Sequence, residues 1–193
     1  MFLARHGQTQ WNIQGRKQGQ LDSPLTAAGR DHAAALARFA ATLEIDFLAS
    51  SPLDRARTTA QIGGDLLGMK VDVFDELAEI HHGLMAGLTW AEAEGRFFGQ
   101  LGQRHDNKYE WRFPGGESYA DADRRAALAL DLISNTGARR PLIVSHEMIG
   151  RMLLRNLTCW PPPRALVTQQ PHDLVYQVNS ATGQVCDLST THE

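Results

Sequence analysis

The stretch LARHGQTQWN, residues 3–12, ends a short apolar segment with an arginine, a histidine and a glycine. The apolar residues 2–4 predict a first strand, so Arg5 and His6 fall at its carboxyl end. Arg5 supplies a fixed positive charge, His6 a nitrogen nucleophile, and Gly7 a turn without side-chain bulk. These residue types are the ones needed to hold a phosphoryl group and attack it.

Strands alternate with helices outward from this segment. Further strands are predicted over residues 45–50, 70–74, 141–145, 174–178 and 184–188. Helices are predicted from the N-cap Thr26 to about Leu43, from the N-cap Ser51 to Gly68, from Ser118 to Ser134, and after His146. Residues 81–116 are less regular, and the prolines at 161–163 predict a turn.

This alternation predicts one α/β domain over residues 1–193, a three-layer α/β/α sandwich around a mostly parallel sheet. In such folds ligands gather at the carboxyl ends of the strands. Three segments follow predicted strands and are expected to converge on one site: Arg5-His6, Ser50-Ser51 and Ser145-His146.

The composition limits the partners and the location. The 193 residues carry 19 Lys and Arg against 22 Asp and Glu, a net charge of -3, without a long basic run, which argues against nucleic acid as a partner. No apolar stretch approaches the ~18 residues of a membrane span, and the N-terminus lacks a signal-peptide pattern, so we expect a cytoplasmic protein and no membrane partner. Cys159 and Cys186 form no disulfide framework and are expected to be reduced, partly buried thiols.

Further motifs occur in order along the chain. They are R-H-G at 5–7, S-S-P-L-D-R-A-R-T-T-A at 50–60, E-L-A-E-I-H-H-G-L-M-A-G-L-T at 76–89, P-G-G-E-S at 114–118 and P-L-I-V-S-H at 141–146. Together they resemble the histidine phosphatase superfamily, the phosphoglycerate mutase-like enzymes. The resemblance implies the phosphoglycerate mutase-like α/β fold and phosphoryl transfer with no metal and no cofactor.

The resemblance also assigns catalytic roles. His6 would be the nucleophile that carries the phosphoryl group, and His146 would lie across the phosphate from it. Arg5 and Arg55 would neutralise the phosphoryl oxygens. Glu79 would protonate the leaving alcohol and later activate the water that cleaves the phosphohistidine.

Protonation and helix geometry add expectations. The attacking nitrogen of His6 must be neutral, so its other ring nitrogen should donate to a backbone carbonyl. A protonated His146 would stabilise the transition state, and the helix that follows it would point backbone donors at the phosphate. Glu76 is a weaker rival for the acid/base role. Arg57 lies about 200° around the helix from Arg55 and is expected at the surface.

Four residues are expected to bind substrate. Asn12, Gln18 and Gly19 match loop positions that contact the phosphoryl group or substrate in the family, although a solvated Gln18 is an alternative. Glu147 stands where the family usually has glycine. Its carboxylate would pair with Arg5 or Arg55 or repel phosphate, and it is expected either to point away from the pocket or to tune the choice of substrate.

Hydrolysis of a small phosphorylated metabolite, a phosphomonoester, is the favoured activity. A mutase needs cations for a second anionic group, and the short span 80–113 has no Arg-Arg pair. A cofactor-dependent phosphoglycerate mutase-type phosphotransferase stays an alternative. A binding or regulatory protein with a silenced site is a second alternative, weakened by the presence of the expected catalytic residues.

Other sites have less support. Adjacent histidines rarely converge on one ion, so His81 and His82 do not indicate a metal site. Without a G-x-S-x-G motif, Ser145 and His146 do not indicate a Ser-His-Asp hydrolase. The aromatic residues of the span 90–111 are expected to form either a lid or part of the core. A homodimer rests on analogy alone.

Overall fold

The computed structural model describes residues 1–190. Its sheet has six strands in the order β3-β2-β4-β1-β5-β6. The strands are β1 Phe2–Arg5, β2 Phe47–Ser50, β3 Val71–Val73, β4 Pro141–Ser145, β5 Leu174–Asn179 and β6 Gln184–Ser189. β3, β2, β4 and β1 pair in parallel, β5 is antiparallel to β1, and β6 is antiparallel to β5. The mostly parallel α/β sheet predicted from the sequence is confirmed.

Helices cover both faces of this sheet. They are α1 Gln10–Ile13, α2 Ala27–Ala41, α3 Asp54–Leu67, α4 Trp90–Asp106, α5 Tyr119–Ser134, α6 Glu147–Thr158 and α7 Pro162–Val167. Two short 3₁₀ turns lie at Asp75–Leu77 and Gly83–Met85. Within residues 1–190, no helix combines the length and the apolar character that crossing a bilayer requires.

Alternate strand residues face opposite layers, as the two-residue period of a strand requires. One core lies under α2 and α3 and contains Phe2, Ala4, Leu48, Leu142, Val144, Leu36, Ala40, Ala56 and Ala60. The other lies under α5, α6 and α7 and contains Leu3, Ala49, Ile143, Ala126, Ile133, Met152, Leu153 and Ala165. The three-layer arrangement therefore follows from the alternation within each strand.

Local capping signals fix several helix ends as predicted. The Thr26 side chain accepts a hydrogen bond from Gly29 N–H and begins α2. Ser118 and Asp121 form a reciprocal capping box at the start of α5. α3 ends at Leu67, and its C-cap residue Gly68 has a φ of 65°, the left-handed conformation that glycine adopts most easily.

The predicted N-cap at Ser51 is wrong. α3 begins at Asp54, and its N-cap residue Leu53 has no capping side chain. Instead the Asp22 carboxylate reaches across from the preceding loop and accepts hydrogen bonds from the backbone N–H groups of Asp54 at 2.9 Å and Arg55 at 3.3 Å. A carboxylate distant in sequence thus caps the helix, which a local capping pattern cannot reveal.

Two further segments differ from expectation. Residues 90–106 form the 17-residue helix α4, although Gly95, Gly99 and Gly102 weaken its helical pattern, and the helix is kinked at Phe97. The prolines at 161–163 begin the short helix α7, because proline is tolerated in the first turn. Cys159 and Cys186 are free as expected, but both are exposed rather than partly buried.

Candidate active site

The carboxyl ends of β2, β4 and β1 lie side by side and bring the predicted segments together. His6 N–H donates to the Ser145 carbonyl at 3.0 Å, and Ser51 N–H donates to the Val144 carbonyl at 3.1 Å. These backbone bonds continue the sheet past its last strand residues. The rings of His6 and His146 consequently lie 5.1 Å apart, centroid to centroid.

His6 is held as a neutral imidazole with one defined donor. Its Nδ1 lies 2.7 Å from the Gly7 carbonyl oxygen, which can only accept, so Nδ1 carries the proton. Burial holds the pKa of His6 well below its ordinary value of 6.5, and the charges of Arg55 and Arg5 act in the same direction. Nε2 therefore carries no proton, as expected of the attacking nitrogen, and its electron pair accepts a hydrogen bond from Arg55 Nε.

Arg55 extends from the first turn of α3 to His6. Its Nε lies 3.3 Å from His6 Nε2. Its terminal nitrogens donate to the carbonyls of Gly19 at 2.7 Å and Leu21 at 2.8 Å, and to Asp22 Oδ1 at 2.8 Å. Burial lowers the pKa of Arg55, and the charge of Asp22 opposes this change. The guanidinium is thus fixed by the loop before α2 and by the carboxylate that caps its own helix.

Arg5 contacts both a backbone carbonyl and the carboxylate of Glu147. Its Nη1 donates to the Gln170 carbonyl at 3.2 Å and lies 2.9 Å from Glu147 Oε2. The other oxygen of Glu147 lies 2.7 Å from Arg151 Nη2. Burial lowers the pKa of Arg5, whereas Glu147 raises it. The expectation that Glu147 points away from the pocket is wrong, because the arginines on either side hold it at the site.

Glu79 lies at the N-terminus of α6. Its Oε1 accepts hydrogen bonds from Ile80 N–H and Ile149 N–H, each at 2.9 Å, and its Oε2 accepts one from Met148 N–H at 3.1 Å. Its side chain is buried and still reaches the cavity beside His6. The expectation that these α6 donors serve the phosphate is therefore wrong for Met148 and Ile149, since Glu79 uses them.

His146 is the N-cap residue of α6 and is fully enclosed. Its Nε2 lies 2.7 Å from Ser51 Oγ, whereas its Nδ1 is buried without a partner among the described residues. Burial, followed by the charge of Arg55, holds the pKa of His146 well below 6.5. Burial and the neighbouring arginines thus disfavour the protonated form of His146 that would stabilise the transition state.

The loop residues take different positions. Asn12 Oδ1 accepts from Thr9 N–H at 2.9 Å and caps α1. Gln18 is buried and its Oε1 has no partner within residues 1–190, so the alternative of a solvated Gln18 is wrong. Gly19 has a φ of +54°, and a Cβ there would lie 2.9 Å from the Cβ of His82. This close approach and the positive φ both require glycine.

These side chains surround one cavity of about 170 Å³. His146 packs behind it against the His6 ring. The residues that line it are Arg5, His6, Asn12, Arg16, Lys17, Gln18, Gly19, Arg55, Glu79, His82, Glu147 and Met148.

Arg57 and Glu76 do not reach this cavity, whereas His82 lines it. Arg57 is exposed and lies 3.9 Å from Asp54, as expected of a surface residue. Glu76 is half-buried in a 3₁₀ turn and is absent from the cavity lining. His82 is buried between Phe113 and Met148, and burial lowers its pKa to about 3. Among residues 1–190, no group of three or more His, Cys, Asp or Glu side chains is arranged to hold a metal ion.

The aromatic residues of the predicted lid divide between core and surface. Phe97, Tyr109 and Trp111 pack against the core under α5 and α6. Phe98 is 83% exposed and Trp90 is 47% exposed. None of the five is among the residues that line the cavity.

Two contributors to the site, Asp22 beside Arg55 and Arg151 beside Glu147, are not predicted from the sequence. Ser51 is expected at the site from its strand end, but its contact with His146 is not predicted. The contacts of Ser51 and Asp22 join segments that are far apart in the chain, so no local spacing identifies them. The Glu147–Arg151 pair has the i,i+4 spacing of a helix and was readable in principle.

Comparisons with known proteins identify the family. Residues 1–186 match the histidine phosphatase superfamily (branch 1). The "Probable phosphoglycerate mutase GpmB" of Yersinia enterocolitica is 36% identical over 168 residues, covering 84% of this chain and 76% of that protein. The protein of the same name from Citrobacter koseri is 39% identical over 151 residues, covering 76% and 68%.

Solved structures are similar over nearly the whole chain. A mycobacterial glucosyl-3-phosphoglycerate phosphatase complexed with VO3 has a TM-score of 0.80 at 27% identity, covering 100% of this chain and 97% of that one. The alpha-ribazole phosphatase from Shigella flexneri has a TM-score of 0.84 at 22% identity, covering 94% and 91%, and shares the fold. The chain belongs to the histidine phosphatase superfamily. It is an enzyme of the phosphatase and mutase-like class.

Proposed function

We propose that this protein hydrolyses a small phosphomonoester through a phosphohistidine on His6. The observation that carries the proposal is the environment of His6: a buried neutral ring with Nδ1 committed to a carbonyl and Nε2 beside the Arg55 guanidinium. Neutral imidazole nitrogen is the form that attacks phosphorus, and the guanidinium neutralises charge on the phosphoryl oxygens.

The steps assign one role to each group. His6 Nε2 forms a bond to phosphorus while the bond to the leaving oxygen breaks, and Glu79 gives that oxygen a proton. A water then attacks the phosphohistidine, Glu79 takes its proton, and inorganic phosphate and neutral His6 result. Arg5 and Arg55 stabilise the charge in both steps. His146, fixed through Ser51, packs against the His6 ring and helps to position it.

The positions of the cations in the span 80–113, away from the cavity, favour hydrolysis over mutase activity. Lys108 Nζ donates to the Leu166 carbonyl, Arg112 pairs with Asp121, and Arg104 lies over the rings of Trp90 and Trp111. None of these cations is among the residues that line the cavity. A mutase must hold a second anionic group of a bisphosphate intermediate, and the span provides no Lys or Arg at the cavity for it. The cations that line the cavity besides Arg5 and Arg55 are Arg16 and Lys17, from the loop before α2.

Phosphoglycerate mutase activity is the second candidate, favoured by the names of the relatives that are 36% and 39% identical. The two activities share the phosphohistidine and differ in the acceptor, which is water or a phosphoglycerate. The second alternative, a binding protein with a silenced site, is disfavoured because Arg5, His6, Arg55 and Glu79 all line one cavity.

The test is phosphate release in EDTA from p-nitrophenyl phosphate and a panel that includes 3-phosphoglycerate, glucosyl-3-phosphoglycerate and alpha-ribazole-5'-phosphate. We expect turnover by the wild type and a loss of at least about a thousandfold in His6→Ala. His105→Ala is the matched control, because that side chain is 93% exposed. Turnover that survives His6→Ala would refute the phosphohistidine. Isomerisation of 3-phosphoglycerate with a bisphosphate primer, in place of net release, would establish the mutase.

A further inference from the structure

Glu147 places a negative charge directly on an arginine of the active site. Its Oε2 lies 2.9 Å from Arg5 Nη1 and its Oε1 lies 2.7 Å from Arg151 Nη2. The three side chains are 28%, 17% and 14% exposed, respectively, so water screens the contacts only in part. Glu147 also lines the cavity that contains His6. A phosphoryl group on His6 therefore shares Arg5 with this carboxylate.

The second arginine of the site has a different arrangement. Asp22 pairs with Arg55 at 2.8 Å, but Asp22 faces a separate surface groove with Pro24, Arg30 and Thr58. Asp22 thus neutralises its arginine from outside the cavity and also caps α3. Glu147 has no such structural duty to a helix start, because the Glu79 carboxylate accepts the hydrogen bonds of the first-turn donors Met148 N–H and Ile149 N–H of α6. Its position inside the cavity calls for a functional explanation.

We propose that Glu147 is a specificity-determining residue, a resident countercharge on Arg5 that weakens the binding of phosphoryl dianions. The inference rests on the proposed function and deepens it. Two free arginines would bind both the substrate and the inorganic phosphate product tightly. With Glu147 in place, the same arginines bind the dianion less tightly, so phosphate leaves readily and inhibits the enzyme weakly. The site is thereby suited to turnover in the presence of its own product.

Glu147 stays in place when phosphate binds. Arg151 holds one carboxylate oxygen independently of Arg5, through a bond of the i,i+4 type along α6. Arg151 is itself anchored by Tyr119 Oη at 2.7 Å and the Thr168 carbonyl at 2.7 Å. The Nε of Arg5 has no partner among residues 1–190, so Arg5 keeps a donor that Glu147 does not use.

Equilibrium binding of inorganic phosphate to the full-length protein, followed by calorimetry, tests the proposal without any turnover. Glu147→Gln keeps the size of the side chain and removes its charge, and we expect it to bind phosphate about tenfold more tightly than the wild type. Glu147→Asp keeps the charge and should bind phosphate with a Kd within about threefold of the wild-type value. Asp131→Asn removes a charge from the exposed face of α5 and should leave the Kd unchanged.

Phosphate binding by Glu147→Gln that is equal to or weaker than that of the wild type would overturn the proposal, because the carboxylate would then serve only to position Arg5. If Glu147→Gln does not fold, as judged by thermal unfolding, Glu147→Ala provides a second neutral variant with the same expected direction. In turnover, the inhibition constant for phosphate and KM should fall together in Glu147→Gln, while kcat does not rise. Tighter phosphate binding without turnover of any substrate would support Glu147 as a countercharge and refute hydrolysis.

Discussion

Asp22 contacts both the start of α3 and the buried Arg55 with one carboxylate. Its Oδ2 accepts from Asp54 N–H at 2.9 Å, and its Oδ1 accepts from Arg55 Nη1 at 2.8 Å. The first contact is a helix cap, which contributes about 1 kcal/mol. The second is a charge-assisted bond to a side chain that is only 1% exposed, and such bonds contribute roughly 1.5–3 kcal/mol. Asp22→Ala should therefore lower the free energy of unfolding by about 3 kcal/mol.

Urea unfolding followed by circular dichroism measures this loss directly. For a chain of this size, 3 kcal/mol corresponds to a Tm that is about 6–12 °C lower. Asp54→Ala is the matched control at the same helix end, since its carboxylate is 82% exposed and lies 3.9 Å from Arg57. Exposed pairs of this kind contribute less than about 0.5 kcal/mol. Equal stability of the Asp22 and Asp54 variants would refute the assignment of Asp22 as the cap and anchor.

Asp22→Ala should also lower the activity of the enzyme. In Asp22→Ala, Arg55 keeps its hydrogen bonds to the Gly19 and Leu21 carbonyls. It loses the bond to the Asp22 carboxylate, the only charged partner of Arg55 among the contacts described. A guanidinium held less firmly is displaced from the position in which it stabilises the transition state, so kcat/KM should fall about tenfold, which corresponds to about 1.4 kcal/mol. An Asp22 variant that is less stable but fully active would show that the two carbonyls alone position Arg55.

Two other perturbations have defined outcomes. Ser51→Ala removes the contact at 2.7 Å to His146 Nε2 and should lower kcat about tenfold with little change in KM. Ser50→Ala is the control, because it removes an equally buried hydroxyl that is bonded to a backbone carbonyl, and it should leave kcat unchanged. Equal effects of the two substitutions would refute the role of Ser51 in positioning His146. The pKa of His82 is about 3 in the folded protein against an ordinary 6.5, so the unfolded chain takes up the proton first. Above pH 6.5 His82 is neutral in both states and the free energy of unfolding is unaffected. Between pH 6.5 and 5 the unfolded chain binds the proton and the folded protein does not, so the free energy of unfolding should fall by about 2 kcal/mol. His82→Leu should show a correspondingly shallower loss in urea midpoints over that range, and an unchanged slope would contradict the neutral, buried state of His82.

The sequence predicted those parts of the fold that depend on local signals. Thr26 and Ser118 begin helices because a hydroxyl at that position satisfies backbone donors of the first turn, and this chemistry is visible within a few residues. The alternation within β1, β2 and β4 equally determines which residues face each layer. The convergence of the strand ends followed from the parallel order of the sheet.

The parts that failed depend on tertiary contacts. The local pattern predicts Ser51 as the N-cap of α3, but the helix begins at Asp54, where the Asp22 carboxylate is available. α4 was missed because its glycines weaken the local helical preference, while the packing of Ala93 and Phe97 against the core stabilises it. In both cases a contact made only after folding outweighs the local pattern.

The sequence motifs name the two arginines of the site but not the carboxylates that pair with them. Counting Arg5 and Arg55 from the motifs suggests a strongly cationic pocket that would bind phosphate tightly. In the folded protein each arginine has a carboxylate at hydrogen-bond distance, Glu147 for Arg5 and Asp22 for Arg55. Catalysis gains from groups that stabilise the transition state more than the bound ground state, and uniform tight binding of phosphate would slow release. Paired arginines keep the directional donors that a phosphoryl group in transfer requires, while the carboxylates reduce the net charge that would retain the product.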